Sequence, residues 1–308
     1  MKLEGIHHIT AITGDAARNV RFYTGTLGLR MVKKTVNQDD PSVYHLFYAD
    51  ERGSAGSDIT FFEYPGAPPG RAGAGMVHRI VWRVASEDAL AFWSRRLEDE
   101  GLGTRRIEDR LRFKDPEGLE LELKVDDTSD EPLRAQHPDV PVEFAILGFD
   151  SAHAYSGDPG RSAGVLEDTL GFDGTTGGVW EARGDRRGGR YIYDEAPSRQ
   201  GLNGAGTVHH IAWACPMDEH DAWRERIAGA GVEVTPVIDR FYFRSIYFRE
   251  PSGVLFEIAT LGPGFTSDEP LETLGQALSL PPKFEVLRER VERELTPLPD
   301  PRDRSAQS

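Results

Sequence analysis

The chain has a single cysteine, Cys215, so no internal disulfide framework can hold it together. It has no apolar run of roughly 18 residues, so no transmembrane helix is expected. The N-terminus, Met1-Lys2-Leu3-Glu4-Gly5, lacks the basic and apolar regions of a secretory signal. A cytoplasmic location is therefore expected. Positive charge is also short: 36 Lys and Arg stand against 51 Asp and Glu, a net charge of −15. That balance argues against nucleic acid or an anionic membrane as a partner. Lysine is especially scarce. An acid-rich, Lys-poor surface suits a salty cytoplasm, and a GC-rich genome would also favour Arg.

What is present is repetition. In 308 residues, enough for two ordinary domains, the first half recurs in the second. Thr26-Leu27-Gly28-Leu29 returns as Thr169-Leu170-Gly171-Phe172, and Gly14-Asp15 as Gly157-Asp158. Gly73-Ala74-Gly75-Met76-Val77-His78 returns as Gly204-Ala205-Gly206-Thr207-Val208-His209, and Trp93 as Trp223. Each half reads as two similar units. A unit opens with a strand (6–12, 77–84), continues with a helix (15–27, 87–100) and closes with strand-like runs (43–48 and 58–64; 112–113 and 119–125; 241–248 and 254–260). Leu90, Trp93 and Leu97 recur at helical spacing, and Gly28 and Gly101 stand where helix C-caps belong.

The expected fold is α+β: four βαβββ modules forming two half-barrel cups. The modules lie near 1–66, 74–126, 142–195 and 205–262. As domains, residues 1–126 are one pair of modules and 142–262 the other. A polar linker, 127–141, joins them. Residues 263–308 form a C-terminal tail with a helix near 282–295 and a frayed end from Asp300 to Ser308.

Comparing the opening strands locates candidate metal ligands. The modules begin Ile6-His7-His8-Ile9, Val77-His78-Arg79-Ile80, Phe149-Asp150-Ser151-Ala152 and Val208-His209-His210-Ile211. The second position is histidine only in the first and fourth. On the closing strands, Glu257 stands opposite Glu122 when the turns Pro251-Ser252-Gly253 and Pro116-Glu117-Gly118 are aligned. Glu257 lies between Phe256 and Ile258, where an unpartnered carboxylate would be costly. If neighbouring modules shared a cup, Arg79 or Ser151 would spoil each ligand set. Pairing the first module with the fourth joins His8, His210 and Glu257. Two imidazoles and one carboxylate are the facial set of non-haem Fe(II) oxygenases. Glu122 reads as a partner for Arg79, and His45 as packing.

At these residues the chain resembles the vicinal-oxygen-chelate superfamily of glyoxalases, bleomycin resistance proteins and extradiol dioxygenases. More narrowly it resembles ring-cleaving enzymes of the hydroquinone 1,2-dioxygenase branch. The matching stretches are Ile6-His7-His8-Ile9-Thr10, Tyr44-His45-Leu46-Phe47-Tyr48-Ala49-Asp50, Thr60-Phe61-Phe62, Val208-His209-His210 and Gly253-Val254-Leu255-Phe256-Glu257. The resemblance implies Fe(II), or Mn(II), on His8, His210 and Glu257, with an aromatic substrate and O2 as partners. It also implies catalytic roles for His209, Tyr247 and Arg240, and substrate contacts from His7 and Thr10. Ser151 stands where catechol-cleaving relatives carry a ligand, which favours hydroquinones. A glyoxalase-like isomerase would want a second carboxylate, for which Glu63 is the candidate. A metal-free drug-binding protein would not need the three ligands to converge. The number of subunits, and so a homo-oligomer, is left open.

Overall fold

The structure is a computed structural model that describes residues 1–299. The expectation for Asp300 to Ser308 falls outside the described residues.

Each module has the expected order. The first comprises β1 (Ile6–Thr13), α1 (Ala16–Val20, continuing as a π-helical turn, Arg21–Thr26), β2 (Arg30–Val36), β3 (Tyr44–Ala49) and β4 (Asp58–Glu63). The second comprises β5 (Met76–Val84), α2 (Glu87–Asp99), β6 (Arg105–Ile107), β7 (Arg110–Lys114) and β8 (Glu120–Val125). The third comprises β9 (Phe149–Ser156), α3 (Gly160–Gly164, continuing as a π-helical turn, Val165–Thr169), β10 (Asp173–Thr175), β11 (Val179–Arg183) and β12 (Gly188–Glu195). The fourth comprises β13 (Val208–Cys215), α4 (His220–Gly229), β14 (Ile238–Asp239), β15 (Phe243–Arg249) and β16 (Leu255–Pro263). In the tail, short 3-10 turns lead to α5 (Arg288–Glu294).

Local chemistry explains the boundaries. Asp15 caps α1 by accepting from the Arg18 amide at 2.9 Å, and Ser86 caps α2 by accepting from the Ala89 amide at 3.2 Å. Leu90, Trp93 and Leu97 are fully buried along one face of α2. Gly28 and Gly101 end their helices with φ of +68° and +76°, where a side chain would be strained. The run expected over 241–248 starts later, at Phe243, because Phe241 takes a φ of 71° that breaks the strand.

The strands form two sheets. One runs β14-β15-β16-β13-β1-β4-β3-β2, the other β10-β11-β12-β9-β5-β8-β7-β6. The first is thus built from modules one and four, the second from modules two and three. The two modules of each half of the chain, one with two and three with four, do not share a sheet. At the centre of the first sheet, β1 pairs antiparallel with β13, while β4 and β16 flank them in parallel. The main core lies between sheets and helices and contains Trp82, Trp93, Trp213 and Trp223. A smaller cluster, including Phe47, Tyr242, Phe243 and the tail residues Phe265 and Leu274, gathers beside the ligand candidates. The tail is tied there by the buried Lys33, whose ammonium meets Asp268 at 2.7 Å and also pairs with Glu269. No helix among the described residues is long and apolar enough to cross a membrane.

Candidate metal centre

The centre begins with two irregularities in strand pairing. Register shifts between Ile6 and His8 on β1, and between His210 and Val208 on β13, leave His7 and His209 as extra residues. Consecutive residues on a regular strand point to opposite faces, and a bulge relaxes that rule. Both rings of each pair therefore meet: Nδ1 of His7 lies 2.9 Å from Nδ1 of His8, and Nδ1 of His209 lies 2.8 Å from Nδ1 of His210.

These contacts determine a tautomer. His7 Nε2 lies 3.1 Å from the Thr260 carbonyl oxygen, which can only accept, so Nε2 carries the proton. Burial, and after it the His8 ring, pushes the His7 imidazole down to about 3, so the ring is neutral. Its Nδ1 is then an acceptor, and His8 Nδ1–H donates to it. A lone pair remains on His8 Nε2.

That lone pair faces the other two candidates. His8 Nε2 is 3.3 Å from His210 Nε2 and 3.2 Å from Glu257 Oε2, and His210 Nε2 is 2.9 Å from the same oxygen. All three side chains are buried. Glu257 Oε1 accepts from Ser245 Oγ at 2.5 Å, while Oε2 meets no donor at hydrogen-bonding geometry. Burial pushes the Glu257 carboxyl up, but the His8 and His210 rings outweigh it and hold the group well below the usual carboxylate range. His210 is itself pushed down, chiefly by burial.

The set fits a metal ion. A buried carboxylate oxygen without a donor, 3.2 and 2.9 Å from two imidazole nitrogens, is a place where a cation would be held. Ligands about 2.1 Å from an ion and at right angles stand about 3 Å apart, which matches the three spacings.

A cavity of about 420 Å³, counting its open mouth, lies over these atoms. Arg240, Tyr247, His45, Asp39, Phe47, Phe62 and Phe243 are among its lining residues. Tyr247 is pushed above the usual phenol range, first by burial and then by Glu257, so its hydroxyl stays a donor. Arg240 makes two hydrogen bonds to Asp39, at 3.0 and 2.9 Å, and lies over the Tyr247 ring at 5.5 Å.

His7 and Thr10, expected to touch substrate, do not line the cavity. His7 stands behind His8. Thr10 is fully buried, with Oγ1 2.8 Å from Thr60 Oγ1. His209 does not line the cavity either; its ring backs His210 and is partly exposed. Glu63 belongs to another place. It pairs with Thr13, five positions beyond the Asp58–His8 pair, and its Oε1 accepts from the Ala16 amide at 3.3 Å.

In the second sheet the equivalent positions hold Ser151, Arg79 and Glu122. Arg79 Nε is 3.4 Å from Glu122 Oε2, and Arg110 and Arg112 also bind that carboxylate. A guanidinium thus stands where a metal would. Nearby His78, His153 and Asp194 also converge, but Arg79 Nη2 lies 3.0 Å from the shared Asp194 oxygen and occupies the cationic position there too.

Sequence reasoning missed Asp39, Ser245 and the cavity-facing position of His45. Ser245 had a signal: it is two residues from Tyr247 on one strand, hence on the same face. Asp39 had none, because its partner Arg240 is remote in the chain.

The family model for the glyoxalase/bleomycin resistance protein/dioxygenase superfamily matches residues 5–123 and 148–258. The Bacillus subtilis protein MhqO, provisionally assigned as a ring-cleaving dioxygenase, is 43% identical over 96% of this chain and 97% of its own length. The chlorohydroquinone/hydroquinone 1,2-dioxygenase of Sphingobium indicum is 31% identical over 94% of this chain and 95% of its own. A crystal structure of a B. subtilis protein provisionally assigned as a dioxygenase superposes with a TM-score of 0.89 at 42% identity, covering 97% of this chain and 98% of that one. Glyoxalase I from Zea mays shares the fold, with a TM-score of 0.56 at 15% identity over 83% of this chain and 92% of its own.

Proposed function

Because the chain belongs to the glyoxalase/bleomycin resistance protein/dioxygenase superfamily, we propose that it is a metal-dependent ring-cleaving dioxygenase. Its substrates in this reading are dihydroxylated aromatics, with substituted hydroquinones foremost, and its metal is Fe(II). The observation that carries the reading is the convergence of His8 Nε2, His210 Nε2 and Glu257 Oε2 within 3.3 Å of one another beside an aromatic-lined cavity. The similarity to a hydroquinone 1,2-dioxygenase supports the substrate class.

In the overall reaction one ring carbon–carbon bond breaks and both atoms of O2 enter the product. Held by His8, His210 and Glu257, Fe(II) would supply a common site for the substrate oxygen and O2 and a path for electron density between them. The remaining work falls to side chains. Phe47, Phe62 and Phe243 hold the ring and exclude water. Tyr247 donates a hydrogen bond to a substrate oxygen. Arg240, oriented by Asp39, stabilises negative charge that develops as the ring is oxidised. His7 and His209 orient the two ligand imidazoles from behind.

The test is anaerobic reconstitution with Fe(II), and separately with Mn(II), followed by oxygen-uptake assays on hydroquinones and catechols. Uptake with hydroquinones is expected. Uptake with neither class defeats the proposal, and uptake with catechols alone moves the substrate class.

A further inference from the structure

The mouth and floor of the cavity are accounted for by the residues above, but its far wall carries a histidine that the proposed chemistry does not use. His45 lies on β3, two strands from β1 in the order β1-β4-β3, and pairs with Phe62, four residues along β4 from the Asp58 that pairs with His8.

The ring is held from three directions. Its Nε2 is 2.9 Å from Thr60 Oγ1, and Thr60 Oγ1 is 2.8 Å from Thr10 Oγ1. The faces contact Phe47 and Phe62, with centroids 4.0 and 4.4 Å away. A residue needed only to fill space between two phenylalanines would not require a pair of buried hydroxyls behind it. The Thr10–Thr60 pair sets the rotation of the ring, and with Nε2 engaged, Nδ1 is the nitrogen left to face the cavity.

We propose that His45 recognises the hydroxyl group of the aromatic substrate that lies away from His8, His210 and Glu257. The inference rests on reading the cavity as the binding place of a dihydroxylated aromatic. One substrate oxygen sits against the three ligand candidates. The ring lies among Phe47, Phe62 and Phe243. The second hydroxyl then reaches the opposite wall, where Nδ1 is a polar atom flanked by aromatic surface. A phenolic hydroxyl both donates and accepts, so it complements either tautomer of a neutral imidazole. Burial chiefly, with His8, His210 and Arg240 adding to it and Glu257 opposing, holds His45 well below the ordinary histidine value, so the ring is neutral. Specificity of this kind is strong because a ligand lacking the hydroxyl leaves a desolvated nitrogen unpaired.

The experiment is anaerobic equilibrium binding of hydroquinone and of phenol to the Fe(II)-loaded protein, read by tryptophan fluorescence or calorimetry. The wild type is expected to prefer hydroquinone over phenol by roughly tenfold. His45→Phe, which keeps the aromatic packing, is expected to bind both with the affinity that the wild type has for phenol. His45→Gln, whose amide donates and accepts, should recover part of the preference. An unchanged preference in His45→Phe overturns the inference while leaving the proposed activity standing. Failure of the wild type to bind either ligand overturns the underlying reading and the inference with it. If His45→Phe does not fold, Thr60→Val decides, because it removes the hydroxyl that orients the ring: a reduced preference supports the role and an unchanged one refutes it.

Discussion

Nδ1 of His7 lies 2.9 Å from Nδ1 of His8, although the two residues are consecutive on one strand. The bulge at His7 makes this contact, and the Thr260 carbonyl on β16 fixes its direction. One hydrogen-bond chain therefore runs from the backbone of the fourth module, through His7, to a ligand candidate of the first. The state of the His8 lone pair depends on it.

Replacing His7 by Phe should lower metal affinity by roughly 10- to 100-fold without unfolding the protein, because the orienting acceptor is lost while the volume is nearly kept. Competition with a chromophoric chelator measures the affinity, and circular dichroism checks the fold. An unchanged affinity would show that the His7–His8 contact is incidental.

Metal binding should raise thermal stability, and its removal by chelation should reverse the rise. An ion bound only by the native state adds about 2.7 kcal/mol at a hundredfold excess over Kd. Glu257→Gln removes the anionic ligand and should abolish the shift in Tm on adding Fe(II) or Mn(II). Differential scanning calorimetry under anaerobic conditions compares the two proteins directly.

Tyr247→Phe should reduce kcat for hydroquinone by about 100-fold or more while leaving metal affinity intact, since it deletes a proton donor in the cavity and no ligand. Steady-state oxygen uptake gives kcat, and the chelator competition supplies the control. A variant with unaltered kcat would reassign Tyr247 to packing.

Acid should weaken the second sheet through Glu120. The His78 ring, whose Nδ1 stands 3.8 Å from Oε2, holds the Glu120 carboxyl down at about 2, below its ordinary 4.5, against the opposing effect of burial. The folded-state value is the lower one, so protons bind the unfolded chain more readily. This stabilisation is present above about 4.5 and is lost as pH falls toward 2. Urea titrations across that range should show a steeper fall for the wild type than for Glu120→Gln.

Much of the candidate site was legible because it depends on residue type and on repetition. His8, His210 and Glu257 stood out when equivalent positions of four modules were compared, and Arg79 and Ser151 argued against a full set within modules one and two or three and four. What stayed hidden depended on contacts between distant segments. His45 looks like packing within Tyr44-His45-Leu46; only the Thr60–Thr10 hydroxyl pair behind it and the cavity before it give it a polar role. Asp39 and Arg240 are far apart in the chain and meet at the mouth of the cavity.

By itself, then, the sequence determined the α+β modules, their number and the types of the candidate ligands. Hydrophobic periodicity, helix caps and internal duplication are local properties that a linear chain displays. Tertiary structure alone decided which way the rings point. Strand register and the bulges at His7 and His209 arise from pairing between the first and fourth modules. A shift of one residue moves a side chain to the opposite face. The same long-range pairing sets Arg79 against Glu122 in one sheet and opens a cavity beside His8, His210 and Glu257 in the other.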